Sequence, residues 1–319
     1  MCIRDRDYTY DVVGNPTSIV ETNSNGGTTE RQLSWVRGKD LRSVSFVENG
    51  ATTKTNTYYY NESGQRAKIV SSDGSYTRFH YDSDLLEYEE RYNASGTLTA
   101  VLKYFYDDDD KVSYVLYKTQ YPHDGTAYYS LYYYLYNALG EITDVFKIQS
   151  PNNTLSAVHE HVAHYEYDPY GHIVSLETKN GDNFGNINPI RYKGYYYDTD
   201  LGWYHLTTRY YDPSICRFIN ADDLELLLES PGDLTDKNLY SYCDNNPVMR
   251  ADSGGDFWHV LIGAAVSAAV ELGSQLASGD KVSVSKVVGA AVEGAASSLV
   301  PGKKAFEVTA AVLDRKSVV

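Results

Sequence analysis

Cysteine and basic residues are scarce in this chain, and each shortage excludes a class of function. Three cysteines in 319 residues are too few for a disulfide framework. Cys216 and Cys243 either pair or serve as small apolar residues, and the second reading is favoured. Lys and Arg total 28 against 43 Asp and Glu, a net charge of −15. Phosphate binding needs clustered cations, so this balance argues against nucleic acid and against an anionic membrane surface as partners.

Several familiar motifs are also absent from the sequence. It has no Walker loop, Rossmann glycine set, nucleophile elbow or zinc-type cysteine spacing, and therefore no cofactor is predicted. Residues 1–6 lack the apolar segment of a signal peptide. Together with residues 314–319 they resemble translated adapter sequence. We therefore expect artefacts at both ends, which leaves the route of export undetermined.

Tyrosine is the residue that the chain uses in excess, with 32 Tyr against 8 Phe and 2 Met. Tyr favours β-strands, and its hydroxyl needs a hydrogen bond when it is buried. Runs at 132–134 and 195–197 place aromatic rings on both faces of a strand. Two interpretations stay open: ordinary cross-strand packing, or one face packed and the other lining a wet cavity. The composition indicates broad β surfaces with a partly polar interior.

One motif recurs along residues 7–189: Tyr, then Asp or Asn, two variable residues and Gly. The acidic or amide side chain can accept a hydrogen bond from a backbone N–H two residues on. The Gly supplies the positive φ that closes a type I turn with a bulge. The motif thus predicts antiparallel hairpins in a long coiling sheet, a mostly β fold. The paired turn residues are Asp11 with Gly14, Asn61 with Gly64, Asn93 with Gly96, Asn137 with Gly140, and Asp168 with Gly171.

The richest stretch is 190–256. It contains Gly-Tyr-Tyr-Tyr-Asp at 194–198, Arg-Tyr-Tyr-Asp-Pro at 209–213 and Tyr-Cys-Asp-Asn-Asn-Pro at 242–247. This stretch resembles the RHS repeat-associated core, and residues 7–189 more loosely resemble the YD repeats of the same family. The resemblance implies repeats that spiral into a hollow β shell, with a core domain that plugs one end. It also implies a variable C-terminal toxin held as cargo, in a bacterial protein that is secreted or exposed at the cell surface.

The resemblance further implies an aspartyl autoprotease, which some family members use to release the toxin. Arg209, Asp222 and Asp252 match its catalytic positions, with cleavage near Gly255–Phe257. Two carboxylates that share a proton have separated pKa values, which gives an acid and a base. However, Asp223 and Ser253 replace the prolines of the family pattern. We therefore expect these carboxylates to be structural turn residues rather than a retained protease.

Two clusters could be mistaken for metal sites. On a regular strand, His159 and His161 would share one face and His164 would lie on the other. The acidic run 107–110 lacks the alternating spacing of a calcium loop and most simply marks a solvated turn. The sequence alone therefore assigns no metal.

Beyond residue 256, Tyr disappears and Ala, Gly, Val and Ser dominate. Residues 257–313 are predicted to form a helical linker or pre-toxin segment, because Glu271 and Glu293 interrupt any apolar span. The resulting hypothesis is a structural shell and delivery protein that carries a toxin. The alternatives are an extracellular protein that binds cell-wall glycan or a host surface, and a self-cleaving core.

Overall fold

The computed structural model describes residues 5–120, 127–149, 158–221 and 238–248. The chain divides into two compact units, Met1–Tyr240 and Ser241–Val319. The described part of the second unit contains a single 3-10 turn at Cys243–Asn245. The predicted helical segment 257–313 lies outside the described residues.

The first unit is dominated by a 14-stranded antiparallel sheet in which every strand pairs with its neighbours in sequence. Strands β1 and β14 are its two edges, so the sheet is not closed. Its strands are β1 Asp5–Tyr10, β2 Pro16–Thr22, β3 Thr28–Val36, β4 Asp40–Glu48, β5 Ala51–Tyr60, β6 Arg66–Ser71, β7 Tyr76–Asp82, β8 Leu85–Tyr92, β9 Leu98–Tyr106, β10 Val112–Gln120, β11 Ala127–Tyr136, β12 Ile142–Gln149, β13 Val158–Tyr167 and β14 Ile173–Thr178. This architecture confirms the predicted mostly β fold of antiparallel hairpins.

The repeated motif lies in the hairpin turns, and one turn shows how it works. The N–H of Asn137 donates to the Glu141 carbonyl at 2.9 Å, and the N–H of Gly140 donates to the Asn137 carbonyl at 3.0 Å. Asn137 Oδ1 also accepts from the backbone N–H groups of Leu139 and Glu141. Gly140 has φ +77°. Glycine adopts this left-handed conformation without strain, whereas a residue with a side chain would be strained there.

The same pair of backbone hydrogen bonds closes four other turns, which begin at Asp11, Asn61, Asn93 and Asp168. Their closing glycines, Gly14, Gly64, Gly96 and Gly171, all have positive φ. The acidic run 107–110 forms a further copy, in which Asp110 takes the glycine position with φ +57°. Asp tolerates this left-handed region better than most residues do.

Aromatic donors explain why the repeat uses Tyr before the turn. Tyr136 on β11 donates its hydroxyl hydrogen to the Val112 carbonyl of β10 at 2.8 Å. Trp35 fills the same role with its ring N–H, which donates to Pro16 at 2.7 Å. Burial of a backbone carbonyl without a donor is costly, so each such bond offsets that cost. The same bond joins Tyr60 to Leu41, Tyr81 to Arg66, and Tyr106 to Leu86. Two copies differ: Tyr92 donates to the Glu90 carboxylate, and the Tyr167 hydroxyl is buried without a hydrogen-bond partner among the described residues.

A second, four-stranded sheet follows the large one. Its strands are β15 Tyr196–Asp198, β16 Trp203–Leu206, β17 Arg209–Asp212 and β18 Arg217–Phe218, and a short helix, α1 Phe184–Ile187, precedes them. This segment packs on the buried face of the large sheet in two places. Phe184 stacks on Tyr132 with ring centroids 3.8 Å apart. Trp203 and Tyr210 share a core with Leu41, Val44 and Tyr58 of the large sheet. In the described part of the chain, no helix has the length and apolar character needed to cross a membrane.

Candidate functional site

The contact between the two sheets encloses charged side chains. Arg66 begins β6 and is fully buried, with its guanidinium carbon 4.6 Å from the ring centroids of both Phe79 and Tyr196. Its Nη1 lies 3.6 Å from Asp198 Oδ2 and donates to the Tyr210 hydroxyl at 3.3 Å. A strand of the large sheet and two strands of the small sheet thus meet at one cation.

Burial alone would lower the pKa of Arg66, but its neighbours Tyr210, Tyr196 and Asp198 outweigh burial and raise it. Arg66 therefore stays charged. For Asp198, burial raises the pKa of the carboxyl and the Arg66 charge opposes that rise. Removing one partner of such a pair is strongly destabilising, because it leaves a buried charge without compensation. The pair therefore fixes how the small sheet sits on the large one.

A second buried ion pair lies under α1. Arg91 on β8 contacts Glu89 Oε1 through Nη2 at 2.6 Å, and its Nη2 also donates to the Ile187 carbonyl at 3.3 Å. Burial tends to lower the pKa of Arg91, but Glu89 and the surrounding tyrosines raise it. The Glu89 side chain is fully buried. This pair links the large sheet to the helix, as the Arg66 pair links it to the small sheet.

His205 on β16 adds a titratable group to this region. Its ring lies 4.8 Å from that of Tyr210, centroid to centroid. Burial first, and then the Arg66 charge, hold its pKa well below the usual value of 6.5. His205 is therefore neutral at physiological pH, and it contributes packing rather than charge.

Several buried polar atoms around these groups have no hydrogen-bond partner among the described residues, including Arg66 Nε, Tyr58 Oη and Asn56 Oδ1. Such groups cost stability when they are buried dry. The interior is thus polar and rich in tyrosine, and its charges are sequestered. The geometry suits a structural seal better than a site for a diffusing substrate.

Arg209 lies on the small sheet. It is buried on β17, with its guanidinium carbon 3.6 Å from the Phe218 ring centroid, and its Nη1 donates to the Leu239 carbonyl at 3.3 Å. Asp222 and Asp252, its predicted catalytic partners, lie outside the described residues. Sequence reasoning did not select Arg66, Glu89, Arg91, Asp198 or His205. Their burial depends on which strands cover them, and no local pattern encodes that.

The fold defines a class of protein in which a large antiparallel repeat sheet is covered by a small four-stranded sheet, and a buried ion pair joins the two. Comparison with known proteins gives the relatives. The tRNA3(Ser)-specific nuclease WapA of Bacillus spizizenii is 31% identical over 266 residues, which is 83% of this chain and 10% of that protein. The tRNA nuclease WapA of Bacillus subtilis (strain 168) matches with the same identity and coverage.

The chain therefore spans about a tenth of the length of the curated relatives it matches. No protein-family model matches it. Among solved structures, the complex TcdB2-TccC3-TEV aligns with 78% of this chain and 15% of that chain, at 16% identity and a TM-score of 0.34. The 31% identity to WapA over 83% of the chain supports the RHS family as the family of this chain.

Proposed function

We propose that this chain is part of the shell of a bacterial RHS polymorphic toxin, and that it encloses and presents a variable toxin domain encoded farther along the gene. Residues 190–256 would act as the repeat-associated core that seals one end of the shell. Such a protein would be secreted or exposed at the cell surface. The proposal is a toxin-related structural role, and it assigns no metabolic reaction to the chain.

One observation carries the proposal. The segment that follows the repeats packs back over the buried face of the repeat sheet and is anchored there by Arg66–Asp198, a charge pair that is costly to separate. The similarity to WapA, a tRNA nuclease by name, extends over 83% of the chain and supports a toxin-related role.

The complete gene provides the test. The full-length protein should contain a distinct toxin domain after residue 313, and that domain should resist protease while it is attached to the intact shell. Denaturation of the shell in mild urea should make the same domain cleavable, and the isolated domain should be cleaved from the start. A cell-wall anchor in that place, or a toxin domain that is cleaved equally fast with and without its shell, would contradict the proposal.

A second candidate function rests on the opposite face of the sheet. Phe105, Tyr114, Tyr133 and Phe146 lie directly opposite one another on β9 to β12. Phe105 and Tyr114 are exposed. A row of rings on an accessible surface can stack on sugars, which favours binding of cell-wall glycan. Pull-down on purified cell wall would test this function, with Tyr114→Ser/Tyr133→Ser as the variant expected to lose binding.

A further inference from the structure

Three potential ligands converge where β12 pairs with β13. The register shifts between Val145 and Phe146, so that Val145 pairs with Ala163 and Phe146 pairs with His161. Val162 is the extra residue of this bulge, and Val162 and Ala163 are both fully buried. Two consecutive residues thus face the core, which reverses the alternation of side chains beyond them.

The bulge corrects the expectation that His164 opposes His161. Because the alternation is reversed, His161 and His164 lie on the same face, away from the core, and Asp144 of β12 lies between them. Asp144 Oδ1 is 2.9 Å from His161 Nε2 and 2.8 Å from His164 Nδ1. The ligand atoms of the three residues lie within 4.8 Å of one another. All three side chains are partly exposed, so an ion can reach them from solvent.

We propose that Asp144, His161 and His164 form a binding site for a divalent transition-metal ion, with Zn²⁺ as the reference ion and water completing its coordination. Two imidazoles and one carboxylate are a donor set that Zn²⁺ accepts, at ligand distances of about 2.0–2.2 Å. Zn²⁺ would replace the hydrogen bond between His164 Nδ1 and Asp144, and also the one that His161 Nε2 donates to the Ala163 carbonyl at 2.9 Å. It would also cross-link β12 and β13 at their bulge.

The surroundings of His164 support this site. Metal-bound imidazoles commonly direct their other ring nitrogen toward a carboxylate. If His164 binds the ion through Nδ1, its other ring nitrogen, Nε2, faces Glu166, whose Oε1 lies 3.9 Å away.

The positive charge of Lys179 should repel a bound metal ion, and this repulsion provides a direct test of the proposal. Its Nζ lies 3.3 Å from His161 Nδ1, which fits an ammonium that donates to an unprotonated ring nitrogen. When His161 Nε2 binds a metal ion, the ring proton must move to Nδ1 and face the ammonium. Metal binding therefore requires Lys179 to swing away, and its charge repels the ion. Removal of Lys179 should strengthen the site.

The experiment is titration of the full chain, free of any affinity tag, with Zn²⁺ by calorimetry, supported by the visible spectrum of the Co²⁺ form. One ion should bind per chain and raise the melting temperature. His161→Ala and His164→Ala should each weaken binding at least about tenfold. His159→Ala is the matched control, because His159 occupies the same face two residues away, and it should bind as the unaltered chain does.

Lys179→Met should tighten Zn²⁺ binding several-fold. If the cluster is only a hydrogen-bonded carboxylate–imidazole group, the same variant leaves binding unchanged. Three results would overturn the proposal: binding of much less than one ion per chain, equal losses in His159→Ala and His161→Ala, or no gain in Lys179→Met. A Co²⁺ spectrum that is unchanged by His164→Ala would also count against it.

Discussion

Single buried residues in this molecule are matched to partners from distant parts of the chain. Arg66 and Asp198 are 132 positions apart in the numbering yet form one ion pair. The chain packs a permanently charged guanidinium against two aromatic rings that also contact each other, and cation–π attraction replaces part of the lost hydration. Charge of this kind is costly to bury and specifies one arrangement of the two sheets.

His205 should make the stability of the fold sensitive to pH. Its folded-state pKa is depressed, by burial first and then by the Arg66 charge, while the unfolded chain titrates near 6.5. Above pH 6.5 both states are neutral and His205 has no effect. Below it only the unfolded chain takes up the proton, so the free energy of unfolding falls. Between pH 7.5 and 5.5 the loss from this group should be on the order of 1 kcal/mol.

The measurement is urea unfolding of the unaltered chain and of His205→Phe, which keeps a ring beside Tyr210 but cannot take up a proton. Other titrating groups act equally in both proteins, so the difference between their pH profiles isolates His205. The unaltered chain should lose more stability on acidification than the variant does. Parallel profiles over that range would show that His205 is protonated in the folded state.

At the scale of the element, the hairpin turn is the unit that recurs, but its surroundings differ from copy to copy. Gly140 has φ +77°, and a Cβ atom added there would meet nothing within 4 Å. Gly171 has φ +85°, and a Cβ atom there would lie 2.5 Å from the ring of Tyr192. Tyr192 is fully buried and donates to the Pro169 carbonyl, so its ring cannot readily yield.

These two glycines form a matched pair for mutation. Gly140→Ala should cost about 1–2 kcal/mol, the strain of a left-handed conformation alone. Gly171→Ala should cost a further 1–3 kcal/mol or so, because it also forces a methyl group into the packed ring. Urea midpoints of the two variants and the unaltered chain provide the comparison. Equal losses would mean that Tyr192 moves aside freely and does not hold the last repeat turn against the core segment.

The elements also show what sequence can and cannot predict here. The spacing between Asp or Asn and the following Gly predicted the hairpins, because each turn is closed by hydrogen bonds among neighbouring residues of the sequence. The Asn49–Gly50 turn between β4 and β5 was missed, although both residues have positive φ and this pair is a strong hairpin signal. The bulge at Val162 was not predictable, because the sequence of β13 is equally compatible with a regular strand whose side chains alternate without interruption. Its detection required the register with β12.

At the scale of the whole molecule, function depends on chain beyond the described residues. The matched relatives are about ten times longer than the aligned part of this chain. To the proposed shell, this chain would contribute a run of repeats that ends in a covering segment.

Self-cleavage is the last property that the family resemblance raises, and we predict that it is absent. Arg209, which the resemblance places beside the two carboxylates, stacks on Phe218 and donates to the Leu239 carbonyl. The prolines that would fix the backbone after Asp222 and Asp252 are replaced by Asp223 and Ser253. Asp223 also adds a third negative charge beside a pair that must share one proton. Both effects work against an acid and a base of separated pKa.

The test is incubation of the purified chain, extended by its native downstream residues and followed by intact mass. The mass should remain that of the uncut chain over days at neutral pH. Asp222→Asn and Asp252→Asn should then be indistinguishable from the unaltered protein. A clean cut near Gly255–Phe257 that disappears in both variants would instead make this segment an autoprotease.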